Sequence, residues 1–318
     1  MRNAAMPQFS MRKMLAGLLL AAGIASAGSA SAYSNMYVFG DSLSDSGNVF
    51  ALTGGTYPPA PYYNGRFSNG PTYAENLASS LGFSAAPSLA GGTNYAFGGA
   101  TAAAGSTIGG YATDLGTQIS TFRGLSGPAD SNALYVLWAG ANDLRANPNA
   151  AGIGAALTGI SNAVQGLYAE GARNFLVMNL PNLGLTPEAI AGNNVAVATG
   201  GSMLFNSYFD ATIGGLRGGL VGSTIRTLDT FALLSDAVAH PSAYGLTNVT
   251  NACISSVGCT PDSYLFWDSI HPTALGHRII ADAAFNVLAV PEPETYALML
   301  AGLGLMGAVA RRRRQMQA

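Results

Sequence analysis

The stretch Tyr37-Val38-Phe39-Gly40-Asp41-Ser42-Leu43-Ser44-Asp45-Ser46-Gly47-Asn48 runs from an apolar strand into a small, polar turn. Met36 to Phe39 have the character of a buried strand, and Gly-Asp-Ser after it presents one hydroxyl at the carboxyl end of a sheet. Ser42 is therefore the candidate nucleophile. A strand followed by an ordinary turn has the same local composition, so the reading depends on what the rest of the chain supplies.

Working outward, apolar runs rich in β-branched and aromatic residues recur at Met36 to Phe39, Ala133 to Ala139, Asn174 to Leu180 and Thr224 to Leu228. Segments long enough for helices lie between and after them: Pro71 to Leu81, Ile108 to Leu125, Ile153 to Glu170, Asn194 to Leu220 and Pro272 to Leu288. Continuous apolar strands separated by helices indicate a parallel sheet covered on both faces, hence a three-layer α/β/α sandwich. No Pro/Gly/Ser linker or internal repeat divides residues 33–290, which are expected to form one domain. The insert from Thr56 to Gly70 carries four tyrosine or phenylalanine rings among its prolines and is expected to wall a site or cover a core edge.

Composition excludes some functions. Of 318 residues, 49% are hydrophobic and 9% charged, so a full core can be buried and disorder is not indicated. Arg2, Arg12, Lys13 and Arg311 to Arg314 take seven of the 14 basic residues, and the lysine-free middle carries 14 acids against the remaining seven. Such an acidic body is unsuited to nucleic acid, whose binding is driven by phosphate neutralisation.

Both ends read as processing segments. Arg12 and Lys13 precede an apolar run from Met14 to Ile24, and Ala30-Ser31-Ala32 gives the small-residue pattern that signal peptidase accepts. Residues 1–32 are thus expected to be a signal peptide. At the other end, Val290-Pro291-Glu292-Pro293-Glu294 precedes an apolar run from Tyr296 to Ala310 and four arginines. A plain tail anchor has this character too, but the ordered Pro-Glu-Pro, apolar helix and Arg cluster resemble the PEP-CTERM sorting signal. For residues 291–318 the resemblance implies transient inner-membrane anchoring in a Gram-negative bacterium and removal by an exosortase-type protease. The domain would then act in the cell envelope or outside the cell.

Asp268-Ser269-Ile270-His271-Pro272 supplies a carboxylate three residues before a histidine. That spacing can orient an imidazole and stabilise the imidazolium formed when it takes a serine proton. Pro272 biases His271 away from helical dihedrals and suits the first position of a helix. His240 and His277 read as structural, His240 for want of a carboxylate in a comparable place. The diglycine loop Asn94-Tyr95-Ala96-Phe97-Gly98-Gly99-Ala100-Thr101 lets backbone amides approach a ligand. Gly140-Ala141-Asn142-Asp143 follows a strand and brings the Asn142 amide to the carboxyl edge that carries Ser42. Cys253 and Cys259, the only cysteines, are expected to pair in an exported chain; the short loop they close would contribute about 2 kcal/mol. Two cysteines cannot make a structural zinc site unaided.

These blocks, in this order, resemble those of the GDSL (SGNH) hydrolases, particularly the lipase and phospholipase/lecithinase/haemolysin-like branch. Phe39 to Asn48 is similar to the first block, Asn94 to Ala100 to the second, Gly140 to Asp143 to the third and Asp268 to His271 to the last. Gly65-Arg66-Phe67-Ser68-Asn69-Gly70 resembles the segment after the first block in that branch. The resemblance implies a flavodoxin-like fold and hydrolysis of carboxylic esters without metal or cofactor. Position by position it makes Ser42 the nucleophile, His271 the general base and Asp268 its orienting partner. The oxyanion donors become the Ser42 amide, the Asn142 side chain and the amide of Gly99, or of Gly98. An α/β-hydrolase elbow, Gly-x-Ser-x-Gly, fails because Ser44 holds its last position. Acyl-ester hydrolysis leads; an O-deacetylase of envelope or extracellular polysaccharide and a non-catalytic surface-matrix protein are the competing readings.

Overall fold

The computed structural model describes residues 33–289, with 302–304, 306–307, 311–313 and 315. The expected leader lies outside the described residues, as does most of the expected tail. The principal strands are β1 (Met36–Gly40), β2 (Leu134–Trp138), β3 (Asn174–Met178) and β4 (Thr224–Leu228). They pair in the order of their numbers and all pairings are parallel, with Val38 opposite Val136 and Val136 opposite Leu176.

Residues 93–97 lie along the free edge of β1. Val38 N donates to Thr93 O (3.1 Å), Tyr95 N to Val38 O (2.7 Å) and Phe97 N to Gly40 O (3.1 Å). The chain therefore leaves β1 to one side and later crosses to the other at β2. Such a reversal opens a crevice at the carboxyl ends of the strands, and here it falls directly beyond Gly40.

Alternation along these strands divides the core into two layers. Phe39, Tyr135, Leu137, Phe175 and Val177 pack on one face against α3 (Leu115–Ser126), α5 (Ala150–Ala169) and α7 (Val195–Gly219). On the other face Met36, Val38, Leu134, Val136, Trp138, Leu176 and Met178 meet α2 (Tyr73–Ser80) and α9 (Ala274–Ala289). The α/β/α sandwich read from the sequence is thus the observed architecture. Shorter helices α1 (Asn48–Leu52), α4 (Ala141–Ala146), α6 (Pro187–Ala191) and α8 (Thr230–Ala239) follow strand ends or bridge loops. A small parallel pair, β5 (Asn248–Ala252) and β6 (Tyr264–Phe266), lies before α9. Between its strands Cys253 and Cys259 are joined, with Cα atoms 5.4 Å apart.

Two expected elements differ from what is observed. Ile108 to Leu125 is not one helix: Thr107–Ile108 and Tyr111–Ala112 form a small hairpin around Gly109 and Gly110, both at positive φ. The helix starts only after Asp114, whose carboxylate caps Thr117 N at 3.0 Å. Pro272 does not open the last helix either. Trp267 N donates to His271 O and Thr273 N to Leu265 O, folding Pro272 back on β6, and α9 begins at Ala274. By contrast, α7 runs unbroken through six glycines because Phe205, Phe209, Ile213 and Leu216 bury one stripe on the sheet.

His277 fastens the second layer. It is 1% exposed, and its Nδ1 accepts the Tyr73 N–H at 3.1 Å, satisfying a first-turn amide of α2. The ring is therefore neutral, and burial, with the nearby His271 adding to it, pushes its pKa down to about 3. The unfolded chain takes up this proton below about pH 6.5, whereas the folded chain resists until about pH 3. His277 thus contributes stability above that window which is lost as pH falls through it. His277→Gln, which keeps an acceptor but cannot ionise, is expected to flatten the decline in unfolding free energy between those pH values. Parallel denaturant titrations of parent and variant check this; identical slopes would remove His277 as an acid-sensitive group.

Candidate active site

β1 ends where its backbone comes closest to β2. A Cβ on Gly40 would lie 2.2 Å from Trp138 O, so only glycine fits. Gln118 of α3 clamps this glycine from the side: its Nε2 donates to Gly40 O and its Oε1 accepts Gly40 N, each at 2.8 Å. The chain then turns tightly. Asp41 Oδ1 accepts Leu43 N (3.0 Å), and Asp41 O accepts Ser44 N and Asp45 N (3.0 Å each). Ser42 is left at the apex, half-buried. Burial raises the Asp41 carboxyl to about 7, although the Leu43 amide and the His271 charge oppose it.

Ser42 Oγ lies 2.8 Å from His271 Nε2, and His271 Nδ1 lies 2.7 Å from Asp268 Oδ2. The other carboxylate oxygen, Oδ1, accepts the backbone N–H groups of Ile270 (2.9 Å) and His271 (2.7 Å). Burial alone would raise the pKa of Asp268, yet the His271 hydrogen bond and charge, with the two amides, hold it down at about 2. An ionised Asp268 can only accept, so it fixes the His271 proton on Nδ1 and leaves the Nε2 lone pair facing Ser42.

The segment around Phe67 holds this turn from behind. Ser68 Oγ donates to Pro272 O (2.9 Å), Asn69 Oδ1 accepts Ala274 N (2.8 Å) at the start of α9, and the Phe67 ring centre lies 5.4 Å from that of His271. Tyr62 donates its hydroxyl to Asp268 Oδ2 at 2.8 Å. The insert therefore backs the Asp268–His271 turn; Tyr57, Tyr62 and Phe67 are absent from the cavity wall. Sequence reasoning found the aromatic insert but not this contact, because nothing local links Tyr62 to a residue 206 positions away.

The diglycine loop is held by two carboxylates. Asp143 accepts Ala102 N and Ala103 N (2.8 Å each), and Asp45 Oδ2 accepts Gly98 N (2.9 Å). That bond separates the two glycines left open by the sequence. Gly98 has its amide engaged and its α-carbon against Phe67, where a Cβ would lie 2.2 Å from the ring. Gly99, at φ +77, is exposed, and its amide has no hydrogen-bond partner among the described residues. The Ser42 amide is likewise unpartnered among them. Asn142, at the start of α4, donates one Nδ2 hydrogen to Ala100 O (2.9 Å) and retains the other.

Ser42, Asn142 and His271 line one cavity of about 550 Å³. Its walls are largely apolar, with Leu234, Ala237, Leu265, Phe266, Ile279 and Ile280 among them. The Arg145–Glu188 ion pair (2.7 Å) also lines it. His240, solvent-exposed, does have a carboxylate partner, Asp236 one helical turn earlier (2.8 Å), contrary to the sequence reading. Among the described residues no group of three His, Cys, Asp or Glu is arranged to hold a metal. No described helix is long and apolar enough to cross a membrane.

Comparison with known proteins adds the following. A family model described as GDSL-like lipase/acylhydrolase matches residues 36–284, and one described as a PEP-CTERM protein-sorting motif matches residues 289–314. Esterase EstA of Pseudomonas aeruginosa is 31% identical over an alignment covering 90% of this chain and 52% of that protein. Phosphatidylcholine-sterol acyltransferase of Aeromonas hydrophila is 27% identical, covering 84% of this chain and 93% of that one. A solved structure of a lipolytic G-D-S-L family member from Veillonella parvula covers 81% of this chain and 99% of its own at 15% identity, with a TM-score of 0.46. The chain spans about half the length of the Pseudomonas relatives it matches. With the family model covering most of its length, the chain belongs to the GDSL-like lipase/acylhydrolase family and carries a PEP-CTERM sorting motif at its carboxyl end.

Proposed function

We propose that this protein is an exported serine hydrolase that cleaves carboxylic acyl esters. The observation that carries the reading is the hydrogen-bond line Ser42–His271–Asp268 at the wall of an apolar cavity. In the first half-reaction Ser42 Oγ attacks the ester carbonyl carbon while its proton passes to His271 Nε2. Asp268 stabilises the imidazolium without taking the proton. The carbonyl oxygen gathers negative charge, for which the Ser42 amide, the Gly99 amide and the free Asn142 hydrogen are the available donors. Collapse expels the alcohol, which takes the proton from Nε2, and leaves the acyl group on Ser42. Water then attacks the acyl-enzyme with His271 as base, releasing the acid and restoring the hydroxyl.

The cavity favours an acyl chain over an acetyl group. An O-deacetylase would need little apolar depth beside the serine, whereas burying each methylene is worth about 0.8 kcal/mol. A surface-matrix protein without activity would have no use for a serine held on an imidazole at a cavity wall.

Ser42→Ala is expected to keep the fold and lower ester turnover on the order of a million-fold. Asn142→Ala should lower kcat by about 100- to 1,000-fold with a smaller change in KM, because its contact strengthens only as charge develops. Steady-state assays over esters of graded acyl length, with an acetylated glycan alongside, decide these points. Ser42→Ala within tenfold of the parent would sink the nucleophile assignment, and preference for the glycan would favour the deacetylase.

The tail motif supports export, with Tyr296 to Ala310 held in the inner membrane by Arg311 to Arg314 until a processing protease acts near Pro291. Signal peptidase would already have removed residues 1–32. Intact-mass measurement of protein from an exosortase-bearing host is expected to show a product lacking the apolar segment. Recovery solely of chains that retain Arg314 would make the segment a permanent anchor.

A further inference from the structure

The insert supplies no wall to the cavity, yet it sends one polar atom to the centre of the site. Asp268 accepts four donors: Ile270 N and His271 N on Oδ1, His271 Nδ1 and the Tyr62 hydroxyl on Oδ2. Three of these belong to the same short turn as Asp268. Tyr62 alone arrives from another part of the chain, and it shares an oxygen with the imidazole.

We infer that Tyr62 is a positioning residue for the Asp268–His271 pair, fixing the carboxylate and tempering its pull on the imidazole through the hydrogen bond to Oδ2. The inference rests on the serine-hydrolase reading given above. A second donor on Oδ2 withdraws negative charge from the atom that stabilises the imidazolium. It also resists rotation of the carboxylate away from Nδ1. The tyrosine is itself held in place: its ring meets Trp267 and Phe67 edge-on (6.2 and 6.5 Å), and its N–H donates to Pro59 O (3.0 Å). Burial first, then the Asp268 contact, pushes the phenol pKa further up, so Tyr62 remains a neutral donor. It does not line the cavity beside Ser42.

Other ionisable groups also act on the pair. Asp41 faces His271 from the turn after β1, His277 faces it from α9, and Tyr57 acts on Tyr62 within the insert. Substitution at position 62 leaves all three in place, so a change in the pH profile reports the hydrogen bond.

The test uses the full chain in three forms: parent, Tyr62→Phe, and 3-fluorotyrosine at position 62, which keeps the shape and is a stronger donor. Each is assayed for kcat, KM and the acid limb of kcat/KM, with a fluorophosphonate counting reactive Ser42. Tyr62→Phe is expected to label fully, to lose about tenfold in kcat with KM within about twofold, and to shift the acid limb upward by about half a pH unit. Fluorotyrosine should shift that limb downward. A structural role would not produce opposite shifts. An active parent whose acid limb is unmoved by either substitution overturns the role of Tyr62 alone. If Tyr62→Phe fails to fold, the near-isosteric fluorotyrosine form decides by its own shift or lack of one. A folded parent that neither labels nor hydrolyses any ester overturns both this inference and the function on which it rests.

Discussion

The buried Asp45 carboxylate ties together the two loops on which the site depends. Oδ1 accepts Gly47 N (2.7 Å) and Asn48 N (2.6 Å), and Oδ2 accepts Val49 N (3.2 Å) and Gly98 N (2.9 Å). Three of those amides open α1, immediately after the serine turn. The fourth belongs to the loop that carries Gly99. Asp45 is fully buried, and burial pushes its carboxyl up to about 6 despite its four donors. In such an environment each satisfied amide counts, since leaving a buried donor unpaired costs about 1–3 kcal/mol.

Around that tie the polar groups are paired in a chain. Asn48 Nδ2 donates to Asn94 O and Ala96 O, Asn94 Nδ2 donates to Ser44 O, and Asn94 Oδ1 accepts Ala96 N. These bonds, with those to Val38 and Gly40, hold residues 93–97 extended beside β1. The positions of Ser42 and Gly99 are therefore set by shared buried partners. Among the described residues, the amides of Gly99 and Ser42 are left without partners once their neighbours are satisfied.

The central sheet was legible because its inner strands bury both faces, and a run such as Leu134 to Trp138 has few other structures open to it. The hydrogen-bonded grouping of Ser42, His271 and Asp268 was legible because a serine, imidazole and carboxylate line constrains residue type and local spacing together. What escaped was whatever depends on distant pairing. Gln118 lies within an amphipathic helix and shows no sign of clamping Gly40. Tyr62 looks like one more ring in an aromatic loop. That the Gly98 amide is engaged turns on its hydrogen bond to Asp45, 53 positions earlier. Similarly, Thr230 to Ala239 contributes Leu234 and Ala237 to the cavity, yet its burial comes from a satellite cluster rather than from the sheet.

That satellite cluster lines the cavity but stands apart from the two layers packed on the sheet. Leu234, Ala237, Leu265, Phe266 and Ile279 all belong to it, and all line the cavity beside the serine. The cluster joins α8, β5, β6 and α9, and the Cys253–Cys259 bridge closes the turn just beyond β5. None of these five residues belongs to the two layers packed on the sheet. Altering their size would reshape the cavity without a direct contact to Phe39, Tyr135 or Val136. Ser42 and the diglycine loop, by contrast, are fixed to β1 and cannot move without it. The architecture thus fixes Ser42 and the diglycine loop to β1, whereas the Asp268–His271 turn and much of the cavity wall are built on β6 and the satellite cluster around it.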